Sequence, residues 1–196
     1  MTFIEPIQED QASDVVRGFF EADRDRLGYV ANYTRVFANR PDVYAAWLQL
    51  NGAIKQAMDL RRYELATLGA ARRLRSSYCS LAHGKVLAEQ YLDPQTVRAI
   101  ALDHTSSGLD ALDVAVMDLA EKVASDATSV TRGDIERLRG FGLSDADIFD
   151  VVVAAAARSF FSKTLDALEV RADPVYRDLE PRLRDALTLG RPIADE

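Results

Sequence analysis

Apolar residues in this chain recur at intervals of three and four almost everywhere, a period that commits it to helices. Leu112, Val116, Leu119 and Val123 make the plainest such stripe, with charged residues on the other side. No stretch alternates apolar and polar residues at the period of two that a half-buried strand needs. One run, VVVAAAA at 151–157, could pass for a strand, but its flanks argue against that. Ser144 with Asp145 and Asp147 makes a helix start, and alanine has the highest helix propensity. Ile148, Val151, Val152, Ala155 and Ala156 follow the helical period too, so the run reads as a helix buried on most sides. The chain is expected to be all-α.

Breakers and caps divide the helices. A short amphipathic piece covers 10–22, with Val15, Val16, Phe19 and Phe20 on its apolar side, and a second covers 30–39 and stops at Pro41. Asp42 opens a third that runs through Trp47, Leu48, Leu50 and Ile54 to about Met58. Helices at 61–75 and 79–90 follow, the latter ending near Pro94, which starts the helix TVRAIAL. A polar break, DHTSSGL at 103–109, precedes the helix at 110–124. Thr131 opens a short helix ending near Gly140 and Gly142. With Pro174, Pro181 and Pro192, the C-terminal piece reads as one short helix and a loose tail. No repeat and no long linker appears, so one domain over 1–196 is expected. It would hold a half at about 28–102, a second helical group at about 110–170 and a tail at 174–196.

Composition narrows the function classes. At 196 residues, 48% hydrophobic and 28% charged, the chain can bury a substantial core. A net charge of −7 argues against a nucleic-acid partner. The longest apolar run is far too short to cross a bilayer, and the start MTFIEPIQEDQ lacks the basic and apolar parts of a secretory signal. Neither nucleic acid nor membrane is therefore an expected partner, and a cytoplasmic location is the simplest reading. One cysteine excludes an internal disulfide framework.

Chemistry concentrates at ELATLGAARRLRSSYCSLAH, residues 64–83, which holds the single cysteine and one of the two histidines. Cys79 and His83 are four residues apart and share a helix face, which brings a thiol beside an imidazole. With Ser76 as N-cap, Cys79 becomes the third helical residue, where free backbone N–H groups and the helix dipole favour a thiolate. Glu64 shares a largely apolar face with Leu68, Ala71 and Arg75, so it points inward and needs a partner. Two readings stand for it: a salt bridge to Arg75, or a proton relay from Glu64 through His83 to Cys79. Arg61, Arg62, Arg72, Arg73 and Arg75 form a basic cluster, read as solvated faces or intersubunit ion pairs, with an anionic substrate or a lowered thiol pKa as the alternative. Tyr63 and Tyr78 are packing residues or pocket hydroxyls, and His104, in the polar break, is expected to be exposed. Cys79 and His83 offer two metal ligands with no second pair to complete four, so neither metal nor cofactor is expected.

The spacing of Glu64, Ser76, Cys79 and His83 resembles the motif of the alkyl hydroperoxidase D and carboxymuconolactone decarboxylase superfamily: Glu, eleven residues, Cys, two residues, Cys, three residues, His. Ser76 stands where the motif has its first cysteine. RRYELATLGAARRL and YCSLAHGKVLAEQYL resemble the helices on either side, and residues 28–50 resemble the approach to the motif in a peroxidase-related subgroup. The resemblance implies an all-α, compact multi-helix domain of the alkyl hydroperoxidase D type and a homo-oligomer. It also implies a thiol-dependent peroxidase with Cys79, His83 and Glu64 as catalytic residues and Ser76 and Tyr78 in support. Because Ser76 cannot form the family's disulfide, an oxidised Cys79 would need an external thiol reductant. The substrate would be a small hydroperoxide. The alternatives are a decarboxylase-like lyase acting on a carboxylated small molecule through acid–base residues, and a non-catalytic oligomeric helical protein.

Overall fold

Nine consecutive residues of one helix, Tyr63 to Ala71, are buried, and the rest of the chain is arranged around them. That helix is α4, Leu60–Arg73, in a computed structural model that describes residues 2–195. Alanine, glycine and threonine at 66, 67 and 69–71 keep its girth small, so neighbours approach from several sides. Gly69 shows how closely: a Cβ there would lie 3.3 Å from the Met117 carbonyl oxygen. Met117 belongs to α7, Ala111–Asp126, the main partner of α4. The helices α5 (Ser77–Gln90) and α9 (Asp145–Ala167) cover two further sides of α4. Among the described residues there are ten α-helices and no strands.

The remaining helices close the core. They are α1 (Asp14–Leu27), α2 (Asn32–Phe37) and α3 (Pro41–Ala57), then α6 (Pro94–Leu102), α8 (Arg132–Gly140) and α10 (Pro181–Leu187). Start signals read from sequence act as such: Thr131 and Ser144 each form a reciprocal capping box, with Asp134 and Asp147. One cluster of buried side chains runs from Val36 to Leu187, and a smaller one gathers Val16, Phe20 and Val30 under α1. The first helix is longer than the expected 10–22, and Val15 lies on its solvent side.

Two expectations are corrected here. The 151–157 run is helical and exposes only Ala156, but α9 beyond that run is not buried on most sides. Phe149 is 65% exposed and Phe160 46%, while Ile148, Val151, Ala155 and Leu165 face inward. A 23-residue helix on the outside of a small core has one face to bury, and its apolar content exceeds that face. The C-terminal segment is not a loose tail. Tyr176, Leu183 and Leu187 are buried, and the Gly190 N–H donates to Ser77 Oγ at 2.8 Å. Gly84 on α5 makes room for Leu187, whose Cδ1 would sit 2.5 Å from any Cβ at that position. Prolines end helices locally but say nothing of whether the chain between them docks.

Candidate active site

A turn of only three residues, Leu74 to Ser76, separates α4 from α5, and it lays the two helices side by side. Arg75 takes the left-handed conformation there, with φ 57°, and the Ser76 N–H returns to the Ala71 carbonyl at 3.0 Å. Ser76 is the N-cap residue and Cys79 the third residue of α5, as the spacing requires. The capping bond itself is absent: the Ser76 side chain accepts nothing from the helix, and its buried hydroxyl has no hydrogen-bond partner. Ser77, the neighbouring serine, is occupied by Gly190 instead.

Side by side, α4 and α5 bring Glu64 to His83. Nδ1 of His83 lies 2.5 Å from Glu64 Oε2, and Lys55 Nζ, from α3, lies 3.7 Å from Oε1. Glu64 is 3% exposed and His83 8%. The salt bridge to Arg75 is not formed; Arg75 turns to the Leu189 carbonyl at the other end of α4. Burial would raise the Glu64 carboxyl, but His83, Lys55 and Arg158 together hold it below the ordinary range. Burial and the Arg158 charge push His83 below the ordinary histidine value, outweighing Glu64. At neutral pH, then, Glu64 is a carboxylate accepting the Nδ1–H of a neutral His83, and Nε2 keeps its lone pair. Among the described residues no hydrogen bond joins His83 to Cys79 directly.

The group that does touch the sulfur is Arg158 of α9. Its Nη1 lies 3.6 Å from Cys79 Sγ and its Nη2 donates to the Tyr63 hydroxyl at 3.2 Å. Tyr63 in turn donates to Asn51 Oδ1 at 2.7 Å. The guanidinium also lies over the faces of Trp47 and Phe161, at 5.7 and 5.4 Å from the ring centroids. Sequence reasoning passed over Arg158. A signal was available, because an arginine directly after an apolar run on a core helix needs a polar partner inside.

Cys79, His83, Glu64, Lys55 and Arg158 all border one pocket of about 360 Å³. Its walls are aromatic, from Tyr33, Tyr44, Trp47, Tyr78, Phe161 and Tyr176. Tyr78 contributes its ring, since its hydroxyl is given to the buried Asp173, which also accepts the Asn32 N–H at 2.8 Å. Ser76 is fully buried and does not reach the pocket surface.

The basic cluster lies elsewhere. Arg61 pairs with Asp113 at 2.5 Å, Arg62 with Asp147 at 3.6 Å and Arg72 with Glu121 at 3.0 Å. His104 is not exposed: at 5% it lies buried between Asp118, 2.8 Å from Nε2, and Arg72, 3.0 Å from Nδ1. A polar sequence context placed it in a loop, but these ion partners converge only when α4 and α7 pack. Among the described residues no group of three or more His, Cys, Asp or Glu side chains could hold a metal ion.

Residues 41–122, which include the whole motif, match the model of the carboxymuconolactone decarboxylase family. No curated protein matches the chain at a significant level. Among solved structures, an uncharacterized peroxidase-related protein with an alkylhydroperoxidase AhpD core, from Ralstonia eutropha JMP134, is similar with a TM-score of 0.83 and 21% identity. The match covers 89% of this chain and 94% of that one. An uncharacterized peroxidase-related protein from Silicibacter sp. TM1040 gives 0.83 and 20%, over 90% and 94% of the two chains. The debrominase Bmp8 in complex with 2,3,4-tribromopyrrole gives 0.77 and 14%, over 95% and 98%. The carboxymuconolactone decarboxylase family model thus matches the segment that carries the motif, and the fold is shared along most of the chain with peroxidase-related proteins of the AhpD-core type, to which this chain is similar.

Proposed function

We propose that the protein is a single-cysteine thiol peroxidase that reduces small hydroperoxides. The observation that carries this reading is the buried His83, hydrogen-bonded to Glu64 and bordering the same pocket as Cys79 at the start of α5. A thiolate is the nucleophile such chemistry needs, and a histidine with a free lone pair is the base that removes its proton. The Cys79 sulfur attacks the terminal oxygen of the hydroperoxide and the O–O bond breaks. The sulfur becomes a sulfenic acid, and the other oxygen leaves as an alcohol after taking a proton from solvent, relayed by His83 Nε2. An external thiol condenses with the sulfenic acid, releasing water. A second external thiol then restores Cys79, and the two reductant sulfurs leave as a disulfide. The buried Ser76 has no part in these steps beyond its backbone.

Limiting hydroperoxide followed by a sulfenic-acid trap and mass spectrometry tests this. One trapped label per chain, on Cys79, is the expected result. An inert Cys79 would sink the peroxidase reading, and a Cys79→Ser variant that still turned over a lactone acid would replace it with the lyase reading.

A second reading is favoured by the aromatic walls and by the likeness to a debrominase over nearly the whole chain. In it the Cys79 sulfur would take a halogen from an aromatic ring as a proton replaces it; one external thiol would displace halide to form a mixed disulfide, and a second would free Cys79 as the two reductant sulfurs leave as a disulfide. Halide release from a brominated pyrrole, compared with hydroperoxide consumption, separates the two.

A further inference from the structure

We propose that Arg158 is the counter-ion of a Cys79 thiolate, so that the resting protein holds sulfur and guanidinium as a buried ion pair and His83 carries no charge for this purpose. The inference rests on Cys79 being a reactive thiol but not on hydroperoxide being its substrate.

An arginine keeps its charge in any protein environment, and a buried charge without an opposite partner is strongly disfavoured. Arg158 is 5% exposed. Among the described residues no carboxylate lies within ion-pairing distance of it, and its Nε has no hydrogen-bond partner. Its polar contacts are the Cys79 sulfur at 3.6 Å and the Tyr63 hydroxyl at 3.2 Å. Tyr63 donates its O–H to Asn51 Oδ1, and burial pushes its phenol above the ordinary tyrosine value, so it offers Arg158 a lone pair and no charge. That leaves the sulfur as the contact able to supply a full negative charge.

The other charged or titratable groups around Cys79 are already committed. Glu64 on α4 is hydrogen-bonded to His83 and paired with Lys55, and it feels the Arg158 charge through space without contacting it. Asp173, beyond the Tyr78 ring, is taken by Tyr78 and the Asn32 N–H, and Tyr176 is a buried phenol whose proton is held well above neutral pH. His83, on the same helix as Cys79, donates to Glu64. Ionisation breaks the S–H bond and releases the proton through the pocket to solvent, by way of His83 Nε2; no redox partner is involved. The start of α5 adds backbone N–H groups to the same sulfur's surroundings.

The test is the pH dependence of Cys79 alkylation by iodoacetamide, in wild type and in Arg158→Met, Arg158→Lys and His83→Gln. Loss of an adjacent opposite charge raises a thiol midpoint by about one to three units. Arg158→Met is expected to show that rise, Arg158→Lys a smaller one, and His83→Gln less than either. An unchanged midpoint in Arg158→Met, or a larger shift in His83→Gln, would overturn the proposal. Thermal unfolding supplies a check that does not depend on thiol reactivity. Arg158→Met should alter stability differently in the Cys79→Ala background, where the cation has already lost its partner; equal effects in both backgrounds would also overturn it. Shifted midpoints in a protein that consumes no hydroperoxide would uphold the ion pair and remove only the peroxidase reading.

Discussion

The two histidines of this chain are both buried, yet their surroundings differ in a way that separates structure from chemistry. His104 is saturated: Asp118 lies at one ring nitrogen and Arg72 at the other, with Glu121 3.5 Å away. Arg72 is itself tied to the carbonyls of Ala101 and Leu102, so the cluster stitches α4, α6 and α7 and lies outside the pocket of Cys79. His83 has one ring nitrogen held by Glu64, and the other has no partner among the described residues, in a side chain that borders the pocket. A satisfied polar group stabilises a fold, whereas one held by half of its valence and facing a cavity is available to a substrate.

The strongest way to break this contrast begins at the sulfur. Cys79→Ser is expected to reduce hydroperoxide consumption to the uncatalysed background, measured by loss of peroxide with an added thiol. The next effect belongs to His83. His83→Gln is expected to slow turnover about a hundredfold, the usual share of a general base, while the folded protein stays intact by circular dichroism. His104→Gln should do the reverse, costing about 1–3 kcal/mol in denaturant unfolding through the buried ring contacts to Asp118 and Arg72 that it disrupts, with activity changed less than about twofold. If His104→Gln proved as damaging to turnover as His83→Gln, the contrast would be meaningless.

The pH profile sharpens the comparison further. His83 is held below the ordinary histidine value by burial and by Arg158, so its base form persists as pH falls past that value. The acidic limb of turnover should therefore lie below about pH 6.5, the unperturbed histidine midpoint. The linkage has the same sign: the unfolded chain binds a proton at His83 before the folded one does, so this group's contribution to stability is lost as pH falls through that window. Glu64→Gln removes a carboxylate that favours the charged imidazole, and it should move the acidic limb lower still while slowing turnover by about tenfold. The smallest effect is expected at Ser76. An N-cap serine ordinarily contributes about 1 kcal/mol, but the Ser76 hydroxyl makes no capping bond, so Ser76→Ala should change unfolding by less than about 0.5 kcal/mol.

Local rules read most of the helices correctly, because periodicity and capping act over a few residues. Thr131, Ser144 and Pro94 open helices where their chemistry says they should. Those rules overestimated the burial of α9 and missed the docking of the C-terminal segment, since both depend on which neighbour is present rather than on the segment itself. The site was legible to the same extent. Cys79 and His83 were readable from one helical turn, and Glu64 from an inward-facing stripe. That Glu64 meets His83 rather than Arg75 needed the tight turn between α4 and α5.

What the sequence determined by itself was everything that a helix's own geometry fixes: the all-α class, the face shared by Cys79 and His83, and the position of Cys79 three residues into α5. What the tertiary structure decided was the electrostatics. Arg158 reaches the sulfur across 79 positions of chain, Lys55 reaches Glu64 from α3, and Asp173 takes the Tyr78 hydroxyl from beyond α9. Charges act through space in a dry interior, where a few ångströms outweigh any distance along the chain, so the partners of a buried ionisable group are set by packing and not by sequence neighbourhood.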